Sequence, residues 1–452
     1  MLDKKVIPKR VKTIVFCDDY SRLFKPRMFR KRVRSIRFTG GYSQEIKPNV
    51  LPQRLHTLTG LNLLSSILPG SLPASLTRLG FGGYPMSFTH GSLPDGLLEL
   101  ANLLPLDPLV PGLLPSTLQT LSFAAEFDQE ITPGLLPPSL RSLYLGMKFN
   151  QRILVDVLPS SITSLTFGSQ FNKPIAQLPP HLLALIFIRG EYNLPLPTLP
   201  VSLTVLNLGY KFNQPIQLPV GLKSLTVNLV PNNSLVALLP TTLRSLRALT
   251  FSQSFNTPIT IDALPDSLTS LEFGYSFDHE IIPNSLPNSI TDLKFGASFH
   301  QEVFQSGALP TSLLYLTLRR NDIRHDMRLP SSITSLSIYR FIWKECYPKN
   351  LQHLTILSDS ESITKRSYLN LNTLTMELQK KKLKITLKLY NSLYFKIPNV
   401  ANYYFNFNSQ PFSTISRIGG SWILITTIRD GVTVVQFYDY TWKPRPKSRG
   451  WY

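Results

Sequence analysis

One short frame recurs along most of this chain, and it restricts the possible folds more than any other feature. Its clearest copy, LPVSLTVLNLGYKFNQPI at 199–216, combines a Leu-Pro step, apolar residues at Leu203, Leu206 and Leu208, and a closing Phe-Asn element. A repeat period of about 20 residues predicts stacked coils, each stabilised mainly by its neighbours. The pattern LPxxLxxLxΦ, with Φ apolar, begins at Leu51, Leu72, Leu93, Leu114, Leu136, Leu158, Leu178, Leu199, Leu218, Leu239, Leu264, Leu286, Leu309 and Leu329.

Degenerate copies extend the repeats toward both ends. They start at Ile7, Phe29 and Tyr347, which brings the total to about seventeen coils. We therefore predict three regions: basic N-terminal capping coils at 1–50, repeats at 51–360, and a β-rich C-terminal cap region with a basic tail at 361–452.

The spacing of the apolar triplet predicts one short strand per coil. Leu206 and Leu208 are two residues apart, so they fall on the same face of a strand, and Leu203 turns inward just before it. The predicted fold is a β-rich solenoid, a leucine-rich-repeat-like right-handed coil stack with a parallel sheet on its concave face. A small β-rich cap is expected to cover the C-terminal end.

The closing element predicts an interior aromatic stack with an amide beside it. We expect the Asn side chain to bond backbone groups of its own and the neighbouring coil. The aromatic residues are Phe127, Phe149, Phe171, Phe212, Phe255, Phe277 and Phe299, and the amides are Asn150, Asn172, Asn213 and Asn256.

The same three features recur together and in fixed order over about three quarters of the chain: the Leu-Pro step, the apolar triplet and the Phe-Asn element. In this respect the chain resembles the FNIP-repeat family, a relative of the leucine-rich repeats. The resemblance implies a repeat scaffold of the kind found in amoebae and their large DNA viruses, often preceded by an F-box. An F-box needs roughly forty residues of helical pattern, and only six residues precede Ile7. Direct recruitment of a ubiquitin-ligase core is therefore not expected.

Two sets of outward positions are expected on each strand. The residue before the second apolar position is usually hydroxylic, which suits β-structure and would also suit a polar binding strip. The residue after it varies from coil to coil, as a recognition surface or an unconstrained solvated face would. From this variable set we predict partner-binding residues at Tyr144, Asn207, Glu272 and Lys294. The hydroxylic set is Thr13, Ser35, Thr57, Thr120, Ser142, Ser164, Ser224, Ser245, Ser270 and Ser335.

Two coils depart from the frame, because Gly60 and Asn102 stand where the third apolar residue belongs. A bulge or a loop excursion is expected at each. Beyond residue 360, 379–390 alternates as a strand with a basic face. Residues 422–440 predict a β-hairpin turning at Asp430-Gly431, which closes the last coil or belongs to a small separate domain.

The net charge of +20 is concentrated at the ends of the chain. Residues 1–50 carry 14 Lys and Arg against 4 Asp and Glu, whereas 51–318 carry 12 against 15. The basic N-terminal run either caps the solenoid or binds a polyanion such as nucleic acid or an acidic protein. The candidate polyanion-binding residues are Arg30, Lys31, Arg32, Arg34 and Arg37.

No pattern in the sequence indicates catalysis, a cofactor or a metal. The seven histidines lie in different coils, and Cys17 and Cys346 have no metal-ligand spacing. The acidic groups at 128–130 and 278–280 are variants of the Phe-Asn element. No secretory signal or 18-residue apolar run is visible, which favours an intracellular protein, cytoplasmic (in a host cell if viral) or nuclear.

Two functions remain open at this point. The first is a non-enzymatic scaffold that presents its concave repeat surface to a protein partner, with the resemblance implying substrate recognition in a ubiquitin-type pathway. The second is binding of nucleic acid or another polyanion through the basic ends. A purely structural role in an assembly is a third version.

Overall fold

The computed structural model describes the coil stack over most of its length. The chain forms two compact units, Met1–Leu246 and Arg247–Tyr452. In each unit the chain is a parallel β-solenoid with one short strand per coil. The described residues are 7–17, 20–63, 66–227, 238–239, 243–299, 304–319, 329–338, 347–359, 384–390, 413–418, 422–429 and 432–439.

In the first unit, consecutive strands pair in parallel from β1 to β11. The core leucines lie in register, with Leu143 beside Leu165 and Leu185 beside Leu206. The strands are β1 (Thr13–Phe16), β2 (Ser35–Tyr42), β3 (Thr57–Leu61), β4 (Arg78–Phe81), β5 (Glu99–Leu103), β6 (Thr120–Phe123), β7 (Ser142–Tyr144), β8 (Ser164–Phe167), β9 (Ala184–Phe187), β10 (Val205–Asn207) and β11 (Ser224–Val227).

In the second unit, the parallel order continues from β12 to β18. There the direction changes, because β18 pairs antiparallel with β21, β21 with β20, and β20 with β19. The strands are β12 (Ala248–Phe251), β13 (Ser270–Glu272), β14 (Asp292–Lys294), β15 (Tyr315–Leu318), β16 (Ser335–Ile338), β17 (His353–Asp359), β18 (Lys384–Tyr390), β19 (Ser413–Ile418), β20 (Trp422–Arg429) and β21 (Val432–Asp439).

The apolar triplet forms the core, as its spacing predicts. Leu203, Leu206 and Leu208 are all at most 1% exposed. Each Leu-Pro step leads into a tight turn, in which the amide of Leu203 donates to the carbonyl of Pro200 at 3.0 Å. The strand then begins with amides that bond the preceding coil, as Thr204 N does to Leu183 O at 2.9 Å.

The predicted aromatic stack is present, and a tyrosine completes it. Phe127, Phe149 and Phe171 stack at successive ring separations of 5.9 Å. Tyr192 follows at 5.6 Å from Phe171, and Phe212 lies 6.2 Å beyond it. In the second unit, Phe255, Phe277 and Phe299 repeat the arrangement at 6.0 and 6.1 Å.

The amide beside the aromatic residue links neighbouring coils. Asn150 Oδ1 accepts the backbone amide of Asn172 at 2.9 Å, and Asn172 Oδ1 accepts that of Asn193 at 3.1 Å. The chain of bonds continues from Asn193 to Asn213 at 2.8 Å. Asp128 begins it, since its carboxylate accepts the amide of Asn150 at 2.8 Å. The bonds to the neighbouring coil are thus confirmed.

Both irregular coils contain the expected bulge. Gly60 and Asn102 have φ angles of 84° and 58°, in the left-handed region that favours Gly and tolerates Asn. The extra residue lets Leu61 and Leu103, each at most 1% exposed, fill the apolar position that the frame requires.

The assignment of Ser245 to the hydroxylic set is wrong. Ala248 pairs with Ser270 and therefore occupies that position, while Leu249 pairs with Leu271 in the core column. This coil has three more residues between its Leu-Pro step and Phe255 than the coil of 199–216 has before Phe212, and the extra residues precede the strand. Leu243 and Leu246 both stand three residues before another leucine, so the sequence pattern fits two registers. The strand adopts the later register, in which all three leucines are buried.

The C-terminal strands match the sequence pattern in part. Residues 384–390 form β18, and β20 pairs with β21 so that Arg429 lies opposite Val432. The predicted turn at Asp430-Gly431 lies outside the described residues. The capping role of this region stays a prediction.

A charge in the core column should unfold the neighbouring coils. Leu206→Asp places a carboxylate at a site 1% exposed, so the loss in free energy of unfolding should exceed the roughly 2–5 kcal/mol of a buried Leu→Ala change. Val201→Asp is the matched control, because Val201 lies in the same coil and is 88% exposed. Thermal and denaturant melts should show a large loss for the first variant only, and equal melts would mean that the register is misassigned.

The asparagine ladder predicts a difference between two substitutions at one site. Asn172→Ala removes the acceptor of the Asn193 amide and should lower the free energy of unfolding by about 0.5–1.5 kcal/mol. Asn172→Asp should lose much less, because the carboxylate of Asp128 already fills this role two coils earlier. Denaturant melts with hydrogen exchange at Asn193 test this, and an Asp variant as unstable as the Ala variant would contradict it.

Tyr192 predicts a loss of stability at alkaline pH. Burial raises the pKa of Tyr192 from 10.0 to about 12. The folded state therefore binds more protons than the unfolded state between pH 10 and 12, and stability falls as the pH rises through this window. Tyr192→Phe should show a smaller fall there, and at neutral pH it should lose about 1 kcal/mol with the bond that Tyr192 Oη donates to Pro195 O. Urea melts at several pH values measure both effects, and parallel pH profiles would refute the first.

Candidate partner-binding face

The outward side chains of the strands form two columns, which together we call the strand face. The variable column follows the core leucine, and the hydroxylic column precedes it. Register pairing aligns both, as with Tyr144 beside Thr166 and Ser142 beside Ser164. The variable column is Ser122, Tyr144, Thr166, Ile186, Asn207 and Thr226 from β6 to β11, and Thr250, Glu272, Lys294, Thr317 and Ser337 from β12 to β16.

In the first unit, the variable column from β6 to β11 carries no charged residue. Tyr144 is the largest side chain in it and stands half-buried between Ser122 and Thr166. Burial raises the pKa of Tyr144, so the phenol remains a neutral donor and acceptor at physiological pH. This part of the variable column therefore places one aromatic group between two hydroxyl groups. Such an arrangement suits contact with an uncharged surface.

Asn207 lies on the same column, three strands from Tyr144. At about 4.8 Å per strand, this separation is about 14 Å. Asn207 Oδ1 accepts the backbone amide of Gly209 at 3.0 Å, which fixes the orientation of the side chain. The amide nitrogen of Asn207 has no bond among the described residues, so it is the group that a partner would meet.

In the second unit, the strand face is charged. Lys294 Nζ lies 3.4 Å from Glu272 Oε2 and 3.9 Å from Asp292 Oδ2. These side chains are partly exposed, and such surface pairs contribute only about 0–1 kcal/mol to stability. Tyr315, which is 51% exposed, pairs in register with Asp292. The patch thus presents two carboxylates, one ammonium group and an accessible phenol.

Sequence reasoning missed Asp292 and Tyr315 as parts of this patch. Both occupy the hydroxylic column, where most coils have Ser or Thr. A departure from the usual residue at an outward position was the signal that could have identified them.

The structure divides the five predicted polyanion-binding residues among three locations. Lys31, Arg32 and Arg34 lie in and just after the turn before β2. Arg37 lies in the variable column of the strand face, beside Val15 and Thr59. Arg30 is half-buried, and its Nε donates to the carbonyl of Ile7, so its guanidinium group links the first two coils.

The described part of the chain contains no cluster of three or more His, Cys, Asp or Glu residues that could hold a metal ion. His279 makes a local contact, with Nε2 3.0 Å from the carbonyl of Asn256, and His300 lies outside the described residues.

A cavity of about 230 Å³ lies between residues 86–90 and residues 105–113. It is smaller than usual ligand sites, which begin near 300 Å³. Within the described residues, no helix is long and apolar enough to cross a membrane.

Comparison with known proteins identifies the repeats. The FNIP Repeat family matches five successive segments, residues 106–148, 149–190, 192–228, 232–276 and 277–320. Among curated proteins, nothing matches the chain significantly.

Two solved structures are similar to this chain, and the first of them supports the fold. CroV588, a giant-virus protein described as a novel circular LRR protein structure, is 29% identical, with a TM-score of 0.57. The match covers 86% of this chain and 64% of CroV588, so the chain spans less than two thirds of that protein. YopM from Yersinia enterocolitica WA-314 is 19% identical over 73% of this chain and 66% of YopM, with a TM-score of 0.35.

The family match and the coil geometry agree on the same unit. Each matched segment contains core leucines and at least one ring of the aromatic stack. Residues 106–320 therefore match the FNIP Repeat family, and this part of the chain folds as a leucine-rich-repeat-like solenoid.

Proposed function

We propose that this protein is a non-enzymatic scaffold that binds a protein partner through its strand face. The observation that carries the proposal is the pair of in-register columns. They hold outward side chains at fixed spacing while the residue type changes from coil to coil. A repeat fold of this kind supplies a constant backbone on which a binding surface can vary without disturbing the core.

The strip of the first unit supports a neutral contact centred on Tyr144. Tyrosine gives a large contact area at a low conformational-entropy cost, and it is enriched among residues that dominate binding energy. The surrounding hydroxyl groups, such as those of Ser142 and Thr166, add hydrogen bonds without introducing an unpaired charge.

The patch of the second unit supports a polar contact. Glu272 and Asp292 share one ammonium group, so the three side chains carry a net charge of −1. A partner segment with a Lys or Arg side chain would complement this charge, and Tyr315 lies beside it to add a stacking surface. Such pairs set specificity and association rate more than affinity.

The ubiquitin-pathway version of the proposal rests on the family resemblance alone. The strand-face residues do not distinguish a ligase substrate from any other protein partner. Identification of the bound protein decides between the two, because a ligase substrate would be ubiquitylated in a manner that depends on this chain.

Site-specific photocross-linking in the native cell tests the proposal. Replacing Tyr144 or Tyr315 by p-benzoylphenylalanine keeps an aromatic side chain on the strand face and adds a reactive ketone. The matched controls are Tyr84 and Tyr275, which are 58% and 60% exposed and lie outside the strands. We expect one discrete cross-linked protein from a strand-face position and none of it from the controls.

A second measurement ties the cross-link to binding energy. Tyr144→Ala should weaken capture of the protein cross-linked at position 144 by about tenfold or more, as loss of a central aromatic contact does. Tyr84→Ala should leave capture unchanged. A partner that cross-links equally from all four positions, or that binds the Tyr144→Ala variant normally, would refute the assignment of the strand face.

A further inference from the structure

The first three coils place a group of cations on one edge, outside the strand-face columns. In each coil, three outward-facing residues surround an apolar residue: two turn residues that follow the Leu-Pro step or its equivalent, and one residue just before the strand. In the first two coils all six are basic: Lys9, Arg10, Lys12, Lys31, Arg32 and Arg34. The third coil adds Arg54 and His56, and we call these eight residues the basic edge.

Backbone hydrogen bonds hold the rows of the basic edge in register. The amide of Arg34 donates to the carbonyl of Lys12 at 2.7 Å, and the amide of His56 donates to the carbonyl of Arg34 at 2.8 Å. Successive coils are about 4.8 Å apart, so the three rows extend over about 10 Å. The edge ends in the fourth coil, where Ala74, Ser75 and Thr77 occupy the same positions.

The basic edge is both rigidly supported and exposed. The apolar residues between its cations, Val33 and Leu55, are 0% exposed and anchor the turns in the core. Arg34 Nη1 donates to the carbonyls of Lys31 at 3.3 Å and Arg54 at 3.1 Å, which holds its guanidinium group between two rows. Every other Lys and Arg of the edge is exposed.

No acidic group neutralises these cations within the described residues. The ion pairs found there join Arg78 with Glu99, Lys148 with Glu126, and Lys294 with Glu272 and Asp292, all in later coils. Because neighbouring rows are about 4.8 Å apart, their like charges repel each other in the free protein. An external polyanion would relieve this repulsion.

We propose that the basic edge binds the phosphodiester backbone of double-stranded nucleic acid, independently of sequence. The mixture of arginine forks and lysine point charges suits phosphate oxygens. The edge has no Phe, Tyr or Trp on which an unpaired base could stack, which favours a duplex over a single strand. It also has no large exposed aliphatic residue that could insert into a membrane: Val15 and Leu23 are exposed in these coils but lie outside the edge.

This assignment changes the set of binding residues that the sequence indicated. It keeps Lys31, Arg32 and Arg34, and it adds Lys9, Arg10, Lys12 and Arg54 from the adjoining rows. Arg30 and Arg37 are left out, because the first links two coils and the second lies on the strand face. This binding activity is separate from the protein contact proposed for the strand face.

Fluorescence anisotropy with a labelled 20-base-pair DNA duplex and the full chain tests the proposal. Four to six phosphate contacts predict a slope of log K against log salt of about −4 to −5, and a loss of affinity of roughly 10²- to 10³-fold between 50 and 200 mM salt. The edge variant combines Lys9→Gln, Arg10→Gln, Lys31→Gln and Arg32→Gln. We expect it to bind at least tenfold more weakly at 100 mM salt, with a shallower salt slope.

The matched control removes the same charge elsewhere. Arg152→Gln, Lys173→Gln, Lys211→Gln and Lys223→Gln are also exposed and lower the net charge by the same four units. This variant should bind within about threefold of the unmodified chain. Equal weakening by both variants would mean that only the overall charge matters, and unchanged binding of the edge variant would place the contact elsewhere. Either result overturns the proposal.

Competition assays distinguish the class of polyanion. Unlabelled duplex should displace the labelled duplex at a lower charge concentration than a single-stranded 20-mer or poly-glutamate does. Equal displacement by poly-glutamate would assign the edge to acidic protein segments instead. Circular dichroism melts confirm that the edge variant is folded, and the pair Lys31→Gln with Arg32→Gln replaces it if it is not.

Discussion

The structure depends on the parallel pairing of each coil with an equivalent coil about 4.8 Å away. At this spacing, any side chain at a given frame position contacts a side chain at the same position in the next coil. Only residue types that interact favourably with copies of themselves can therefore repeat. Leucine satisfies this in the core column, aromatic rings satisfy it by stacking between Phe127 and Phe212, and asparagine satisfies it by accepting a backbone amide from the next coil. A close backbone approach adds a further restriction, since a Cβ at Gly168 would lie 1.9 Å from Gly146 O.

The same constraint explains how much of the fold the sequence could predict. The period, the buried triplet and the Phe stack follow directly from residues that recur at fixed spacing. Tyr192 was not predicted, because the Phe-Asn pattern requires phenylalanine at its position. Its ring nevertheless stacks as a phenylalanine would, and its hydroxyl group donates to the carbonyl of Pro195. Ser245 was misplaced because Leu243, Leu246 and Leu249 are equally spaced, and only packing determines which of them enters the strand.

Surface positions were less predictable, because a solvated side chain need not match its copy in the next coil. The sequence indicated that the variable column exists, and Tyr144 and Glu272 could be named from it. It could not show that Lys294 bridges Glu272 and Asp292, since that depends on which columns are adjacent in space. The basic N-terminal run was visible as composition, whereas its division into an edge, a strand-face residue and a coil-linking Arg30 required the register of the first three coils. Core and surface are thus separable in this protein, and outward side chains can change without altering the solenoid.

Electron paramagnetic resonance distances along the variable column test the central claim of in-register stacking most directly. Spin labels at Ser122 and at Ile186, Asn207 or Thr226 are three, four and five strands apart, in a chain whose native cysteines are replaced by serine. The account predicts separations of about 14, 19 and 24 Å, rising by about 4.8 Å for each coil. Separations that do not rise with the number of intervening coils would contradict it.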